Sequence, residues 1–496
     1  MNPPEQALLL PIPEQPAPAA APAPGPGERK WIPINRAQQT MVIIDVEDLI
    51  AEDHKARAIW ELAGRLELSR FQEPVRTERG QAGRPAWNPR LLVSVWVYAY
   101  SEGISSARQI ERLMKHEPGL QWLAGLQEVN HHTLSDFRVA HQEALNELFA
   151  QLLGVLEEAG VIRLERVMHD GTKIRAQAGV DTFRRKKTIE QRLEQARERA
   201  QRERVERLEQ ALAELEALQE KAAAEKMQPV RVSVSEPEAR MMKHGDHAIL
   251  PSYNAQISTD AEQTVVVGVH LSQSSSDAGS LEPAVEEVAR NVGRKPKQVV
   301  VDGGFTNRAT IEAMAERGVE MIGSLPDPEE RSAAAMKALG IDPEFRPQAF
   351  VWDEATNTLR CPAGQCLGYL RGNQKRGNRY EQYQASGEVC SRCEFQPRCC
   401  PQHPEQGRMV SRLVSEPAPV AAFRERMNTD EARQIYRQRG PIAEFPNAWI
   451  KERIGLRKFR VRGLPKAGME AVWACLTYNV MQWMRLCWRP ELAVTG

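Results

Sequence analysis

One stretch constrains this chain more than any other: QVVVDGGF at 298–305, an unbroken apolar run that ends in an acid and two glycines. Three consecutive valines suit a central strand covered on both faces, since a half-exposed strand alternates apolar with polar residues. In open α/β sheets the chemistry gathers at the carboxyl ends of such strands, which is where Asp302 falls. Gly303 and Gly304 allow the backbone to turn away sharply. Alone, Asp302 reads first as a cap for the helix that follows, so a chemical role requires partners elsewhere in the chain.

A chain of 496 residues is long enough for two or three domains with sizeable cores. Its 66 Lys and Arg balance 66 Asp and Glu, so any nucleic-acid contact must come from local basic patches. The start lacks the basic n-region of a signal peptide, and the longest apolar run, LLVSVWVYAY at 91–100, is about half a membrane span. A soluble, cytoplasmic protein is expected. Six of the eight cysteines crowd into 361–400, which in a reducing compartment points to metal before disulfide.

Residues 1–28 are rich in Pro and Ala and read as a disordered or extended tail. A helical domain is expected over 45–160. NPRLLVSVWVYAYSEG offers Asn88 as N-cap, Pro89 in the first turn and Gly103 as the stop. Ser106 and Gln109 have capping-box spacing, and Thr133 reads as the cap of a helix in which Leu145, Leu148, Leu152 and Leu156 recur. Such helices fit a helix-turn-helix-like DNA-binding module or an ordinary bundle; His131 and His132 read as cap or surface residues.

VIRLERVMHDGTKIRA at 161–176 repeats the opening pattern, with β residues leading to Asp170 and then Gly171. The charged segment 183–226 carries apolar stripes at helical spacing and reads as a helical hairpin or short coiled coil, either simply solvated or serving self-association. Strands follow at 252–259 and 263–271, then a helix, the Asp302 strand, a second helix and a strand at 319–325. The fold class is therefore α/β, a mixed sheet with a helical arm inserted after its first strand. The cysteine-rich stretch 350–402 reads as mostly loop. Cys390 and Cys393 have the knuckle spacing of structural zinc, which one of Cys361 or Cys366 and one of Cys399 or Cys400 would complete; free buried thiols are the alternative.

Between Lys451 and Lys466 stand seven basic residues (Lys451, Arg453, Arg457, Lys458, Arg460, Arg462, Lys466) against one acid, Glu452, with Trp449 and Phe459 beside them. The strip suits phosphate binding, or merely a soluble surface. Glu444 and Lys451, seven apart, share a helix face, while Pro441 and Pro446 predict a helix start or kink between them. Three carboxylates gathered at one sheet edge, with no basic residue neutralising them, suit Mg²⁺ or Mn²⁺. Two such ions roughly 3.5–4 Å apart can activate an attacking oxygen and stabilise the leaving one in phosphoryl transfer.

Taken together, HDGTKIRA, VVVDGGF and YRQRGPIAEFPNAWIK resemble the catalytic signature of bacterial insertion-sequence DDE transposases with an RNase H-like core. SVSEPEARMMKHGDHAILPSYNAQ, the cysteine cluster and the RPAWNPRLLVSVWVYAY…HHTLSDFR head resemble one subgroup, so the likeness spans roughly 80 to 490. The resemblance implies an RNase H-like catalytic domain over 161–490, with a helical-hairpin insertion at 183–226 and a zinc-ribbon-like insertion at 350–402. It implies Asp170, Asp302 and Glu444 as ligands of two Mg²⁺ or Mn²⁺ ions, and Cys361, Cys390, Cys393 and Cys399 as ligands of a structural Zn²⁺. Tyr436, Arg439 and Lys451 would contact transposon-end DNA, joined by Arg453, Arg457 and Lys458 of the basic strip. Four residues separate Arg439 from Glu444, where the family pattern has three. The expected activity is cleavage at transposon ends and joining to target DNA by a homodimer or larger assembly in the bacterial nucleoid. Its rivals are a DNA-binding protein that no longer cuts and a metal nuclease that does not join.

Overall fold

Helix-capping chemistry sets out the N-terminal region. The computed structural model describes residues 36, 41, 43–73, 85–225, 230–325, 333, 335–375 and 378–490. The chain divides into two units, Met1–Asp45 and Val46–Gly496, and every element named below lies in the second. The Pro/Ala-rich tail at 1–28 lies outside the described residues. Six helices come first: α1 (Lys55–Arg65), α2 (Pro89–Ser101), α3 (Ala107–Leu113), α4 (Pro118–Ala124), α5 (His131–Ala140) and α6 (Gln142–Glu158). Asn88 caps α2 through its side chain and Pro89 opens it, as the sequence predicts. Two expected caps differ. Asn130, not Thr133, caps α5 by accepting from His132 N at 2.7 Å, so the histidines form its first turn. Ser106 occupies the N-cap of α3 but makes no side-chain bond there.

The sheet is mixed and its order is not the chain order. Strands β1 (Arg166–Arg175), β4 (Arg240–Lys243), β5 (Ile249–Asp260), β6 (Val265–Ser272), β7 (Gln298–Val300) and β8 (Glu320–Ile322) make it up, and a small β2 (Phe183–Arg184) pairs with β3 (Val232–Ser233) apart from it. From one side the order is β4-β5-β1-β7-β8, and β6 pairs with β5. β1 lies antiparallel to β5 and parallel to β7, and β7 is parallel to β8. Helices α9 (Leu281–Val292) and α10 (Arg308–Glu316) make the crossovers. Between β2 and β3, α7 (Lys186–Glu198) and α8 (Arg202–Glu225) form the expected hairpin, closed by Ile189, Leu193, Leu208 and Leu215.

Both faces of the valine strand are covered, in agreement with its sequence. Val299 and Val301 pack with Leu281, Val285, Ile311 and Phe423, the last on α13 (Ala418–Met427). Val300, with Met168 and Ile322, packs on the other face against Ala432 and Ile435 of α14 (Asp430–Arg437) and Ala443 of α15 (Arg439–Glu452). The closing helix α16 (Leu464–Leu486) covers the β6 edge, where the Asn479 amide donates to Val266 O and accepts from Val266 N. Such cover keeps the edge strand from pairing elsewhere. The same core runs on without a break from β6 and α16 into α1, α2, α5 and α6.

Three expectations change. Asp170 lies in the middle of β1, not at its end, because the strand continues five residues beyond it against β5. Residues 350–402 are not mostly loop: β9 (Val351–Asp353), β10 (Thr358–Arg360), β11 (Cys366–Lys375) and β12 (Asn378–Gln384) join β13 (Met409–Ser415) in a five-stranded antiparallel sheet, with the short helices α11 (Gly387–Ser391) and α12 (Gln396–Cys399) between β12 and β13. Its core is small, with Leu359, Leu367, Tyr383 and Val410 buried while Val351, Tyr369, Leu370, Met409 and Leu413 are exposed, so the alternation is faint. Finally, α15 runs through both prolines. Pro441 falls in the first turn, where no N–H partner is needed, and Pro446 gives up one interior bond while burying its ring.

Candidate active site

The parallel register of β1 and β7 builds the site. Met168 pairs with Val300, so Asp170 and Asp302, each two residues further on, reach the same level on neighbouring strands. β7 ends there and β1 does not. Further along, the freed edge of β1 is taken up by the basic strip: Arg175 N donates to Arg457 O at 3.2 Å, and Phe459 N donates to Arg175 O at 2.9 Å. Asp170 therefore sits at a gap in the sheet, between the end of the valine strand and the basic strip.

Burial pushes the Asp170 carboxyl up to about 6; the Arg439 guanidinium opposes this, while the charges of Asp302 and Asp277 add to it. Arg439 Nη1 stands 3.9 Å from Asp170 Oδ1, and Asn447 Nδ2 donates to Oδ2 at 3.0 Å. Burial likewise lowers the Lys451 ammonium, with Asp170 opposing. Asp302 does not cap α10, whose N-cap is Asn307. Its Oδ1 instead accepts from Gly304 N at 2.7 Å and closes the DGG turn. The neighbouring His169 is buried between Ser258 and Gln256, and burial drives its imidazole down to about 3, so it is neutral.

Of the residues singled out in the sequence, Asp170, Asp302, Arg439 and Lys451 come together around this gap. Tyr436 is half-buried in the cluster beneath, and Arg453, Arg457 and Lys458 follow along the basic strip. Glu444 is exposed on α15, one turn before Asn447, and makes no hydrogen bond or ion pair among the described residues. Sequence reasoning missed Asn447 and Asp277. The signal for Asp277 lay in the glycines: a Cβ on Gly171 would stand 2.5 Å from its Oδ1, and one on Gly304 would stand 3.5 Å from its Oδ2.

Among the described residues, no three His, Cys, Asp or Glu side chains are gathered as a ready metal site. The chemistry of the gap nevertheless fits a hard divalent cation. Asp170 lies within reach of the Asp302 and Asp277 charges, and the amide oxygens of Asn447 and Asn254, 7% and 1% exposed, lack a hydrogen-bond partner among the described residues. The cysteines form a second candidate centre. Cys361, Cys390, Cys393, Cys399 and Cys400 line one cavity of about 30 Å³, whereas Cys366 is exposed and bonds to Thr358. Gln365 N donates to Cys361 Sγ and Arg408 N to Cys390 Sγ, both at 3.3 Å. Burial holds the Cys399 thiol up at about 11, a state that a bound zinc would reverse by taking the thiolate.

The known proteins now bear on this geometry. A family model described as a transposase DDE domain matches residues 360–484, and one described as a transposase domain (DUF772) matches 44–140. The two matches together support an insertion-sequence DDE transposase. No curated protein matches it significantly. The DDE-domain match takes in β11 to β13 of the cysteine sheet and runs from α13 into α16, hence over Glu444 and the basic strip, while Asp170 and Asp302 precede it. The DUF772 match covers α1 to α5, whose core is continuous with the sheet that carries Asp170. Among the described residues no helix is long and apolar enough to cross a membrane.

Proposed function

We propose that this transposase cleaves DNA at the ends of its element and joins the freed 3′-hydroxyls to target DNA, on an RNase H-like core. The observation that carries the reading is the β1–β7 register, which sets Asp170 beside Asp302 at a sheet gap flanked by basic residues. Asp170, Asp302 and Glu444 would hold two Mg²⁺ or Mn²⁺ ions, which supply activation of the attacking oxygen and stabilisation of the leaving one. Burial of Asp170 raises the free energy of its anion, which favours a cation there. Arg439 and Lys451, already drawn to Asp170, offset phosphate charge, and Tyr436 supports them from below. Arg453, Arg457 and Lys458 track the backbone of the bound strand.

The N-terminal helices recognise the terminal repeats, and the α7–α8 hairpin serves self-association in a dimer or larger synaptic assembly. Cys361, Cys390, Cys393 and Cys399 hold one structural Zn²⁺ in a zinc-ribbon-like insertion. The shared cavity and the two N–H···S bonds support that set. The test is a strand-transfer assay with pre-cut 3′-hydroxyl ends. Asp302→Asn is expected to abolish Mg²⁺-dependent cleavage and joining while end binding persists. Cleavage by that variant at the wild-type rate removes Asp302 from the mechanism. Cleavage without joining by the wild type makes the protein a nuclease, and binding alone makes it a DNA-binding descendant.

A further inference from the structure

Asp277 lies in the loop between β6 and α9, in SQSSSDAGS, and reaches back over the strand that carries Asp170. Its Oδ1 accepts from Asn254 Nδ2 at 2.8 Å and from Gln256 Nε2 at 3.0 Å. Both amides belong to β5, on which Ser252, Asn254, Gln256 and Ser258 form a buried polar row beside β1. The other end of the Gln256 amide, its Oε1, meets the buried His169 Nε2 at 3.0 Å. Asp277 is thus fixed by uncharged donors, and among the described residues no ion pair reaches it. One oxygen is fully engaged and the other, Oδ2, is left facing Gly304.

The glycines give the direction. The point where a Gly304 Cβ would stand is 3.0 Å from Asp302 Oδ1 and 3.5 Å from Asp277 Oδ2. The corresponding point at Gly171 is 2.5 Å from Asp277 Oδ1 and 3.0 Å from Asn254 Oδ1. That Asn254 oxygen is 1% exposed and lacks a partner among the described residues. A buried acceptor without a donor, next to Asp277 and Asp302, which no ion pair reaches among the described residues, marks a place for a cation.

We propose that Asp277 is a further cation-binding carboxylate of this site, sharing Asp302 with Asp170, and that Gly171 and Gly304 are glycine to admit it. The proposal rests on the reading of Asp170 and Asp302 as metal ligands. It makes HDG and DGG parts of one device: each acid is followed by the glycine that leaves room for a third.

Mn²⁺ binding to the full chain without DNA, followed by electron paramagnetic resonance of the free ion, separates the two claims. Asp277→Asn is expected to weaken Mn²⁺ binding by about tenfold or more. Gly171→Ala keeps every acid but fills the space beneath Asp277, and is expected to weaken it similarly. Unchanged affinity in a folded Asp277→Asn protein overturns the proposal, as does loss of the metal-free fold in both variants, which makes Asp277 structural. Asp302→Asn is the control: if it binds Mn²⁺ as tightly as the wild type, the failure lies with the metal reading of the aspartates, not with Asp277.

Discussion

Asn447, not Glu444, meets the buried aspartate of the site: its Nδ2 donates to Asp170 Oδ2 at 3.0 Å, while Glu444, one turn earlier on α15, faces solvent. The bond joins the proline-containing helix to the middle of β1 across 277 residues of chain. Since the acceptor is an anion above its pKa, Asn447→Ala is expected to destabilise the chain by about 1.5–3 kcal/mol at pH 8. Below pH 6 Asp170 becomes neutral and the loss shrinks. Urea denaturation at the two pH values reads both.

Replacing the aspartate itself should do the reverse. Its folded pKa, about 6, lies above the usual aspartate range, so between those two values the unfolded chain releases a proton that the folded chain keeps. Stability is therefore lost as pH rises through this window and stays lost above it. Asp170→Asn is expected to be more stable than the wild type by about 1–3 kcal/mol at pH 8, with the advantage gone near pH 4. The same variant should neither cleave nor join DNA. A thermal scan without divalent cation shows the gain, and a variant no more stable than wild type at pH 8 contradicts the account of the burial.

For the cysteines, metal analysis after dialysis should find about one zinc per chain. Cys361→Ser should lose it, because Cys361 lines the shared cavity, and Cys366→Ser should keep it, because its thiol is exposed and bonded to Thr358. Zinc lost equally from both variants would mean that the cavity is not the binding site.

Much of the fold was legible where a local rule and the global demand agreed. The valine run announced a strand buried on both faces, and Asn88 with Pro89 announced α2. Asp170 was singled out in the sequence, but its position in mid-strand was hidden, because the sheet gap comes from the shortness of β7 and not from anything in β1. The cysteine sheet was missed because its buried core is six residues and apolar residues such as Val351, Leu370 and Leu413 face outward, which blurs the alternation. In SYNAQIST the alternation of polar and apolar residues was plain, yet it normally signals a half-exposed strand. Here the polar row is buried, and only the tertiary structure shows that Asn254 and Gln256 turn inward to hold Asp277. Asn447 gave no signal, since a lone Asn in a helix is commonplace.

The basic strip makes the last prediction, because its seven cations are not equivalent in the folded chain. Arg460 spends its Nε on Ser105 Oγ, and its backbone N–H on the buried Glu470, so it ties the strip to the helical region. Arg457 is paired with Glu452 at the surface, an arrangement that water and salt easily loosen. Arg453 is exposed and, among the described residues, has no acidic partner. If the strip follows a DNA backbone, Arg453→Ala removes one phosphate contact outright, and the slope of log K against log salt falls by about one unit. Arg457→Ala should lower the slope by less, because part of its charge is already offset by Glu452. Arg460→Ala should act mainly on folding, shifting the thermal midpoint with little change in slope. Fluorescence anisotropy on end-sequence and random duplexes over a range of salt gives all three. Equal slopes for wild type and Arg453→Ala would show that this edge of the sheet does not carry the DNA.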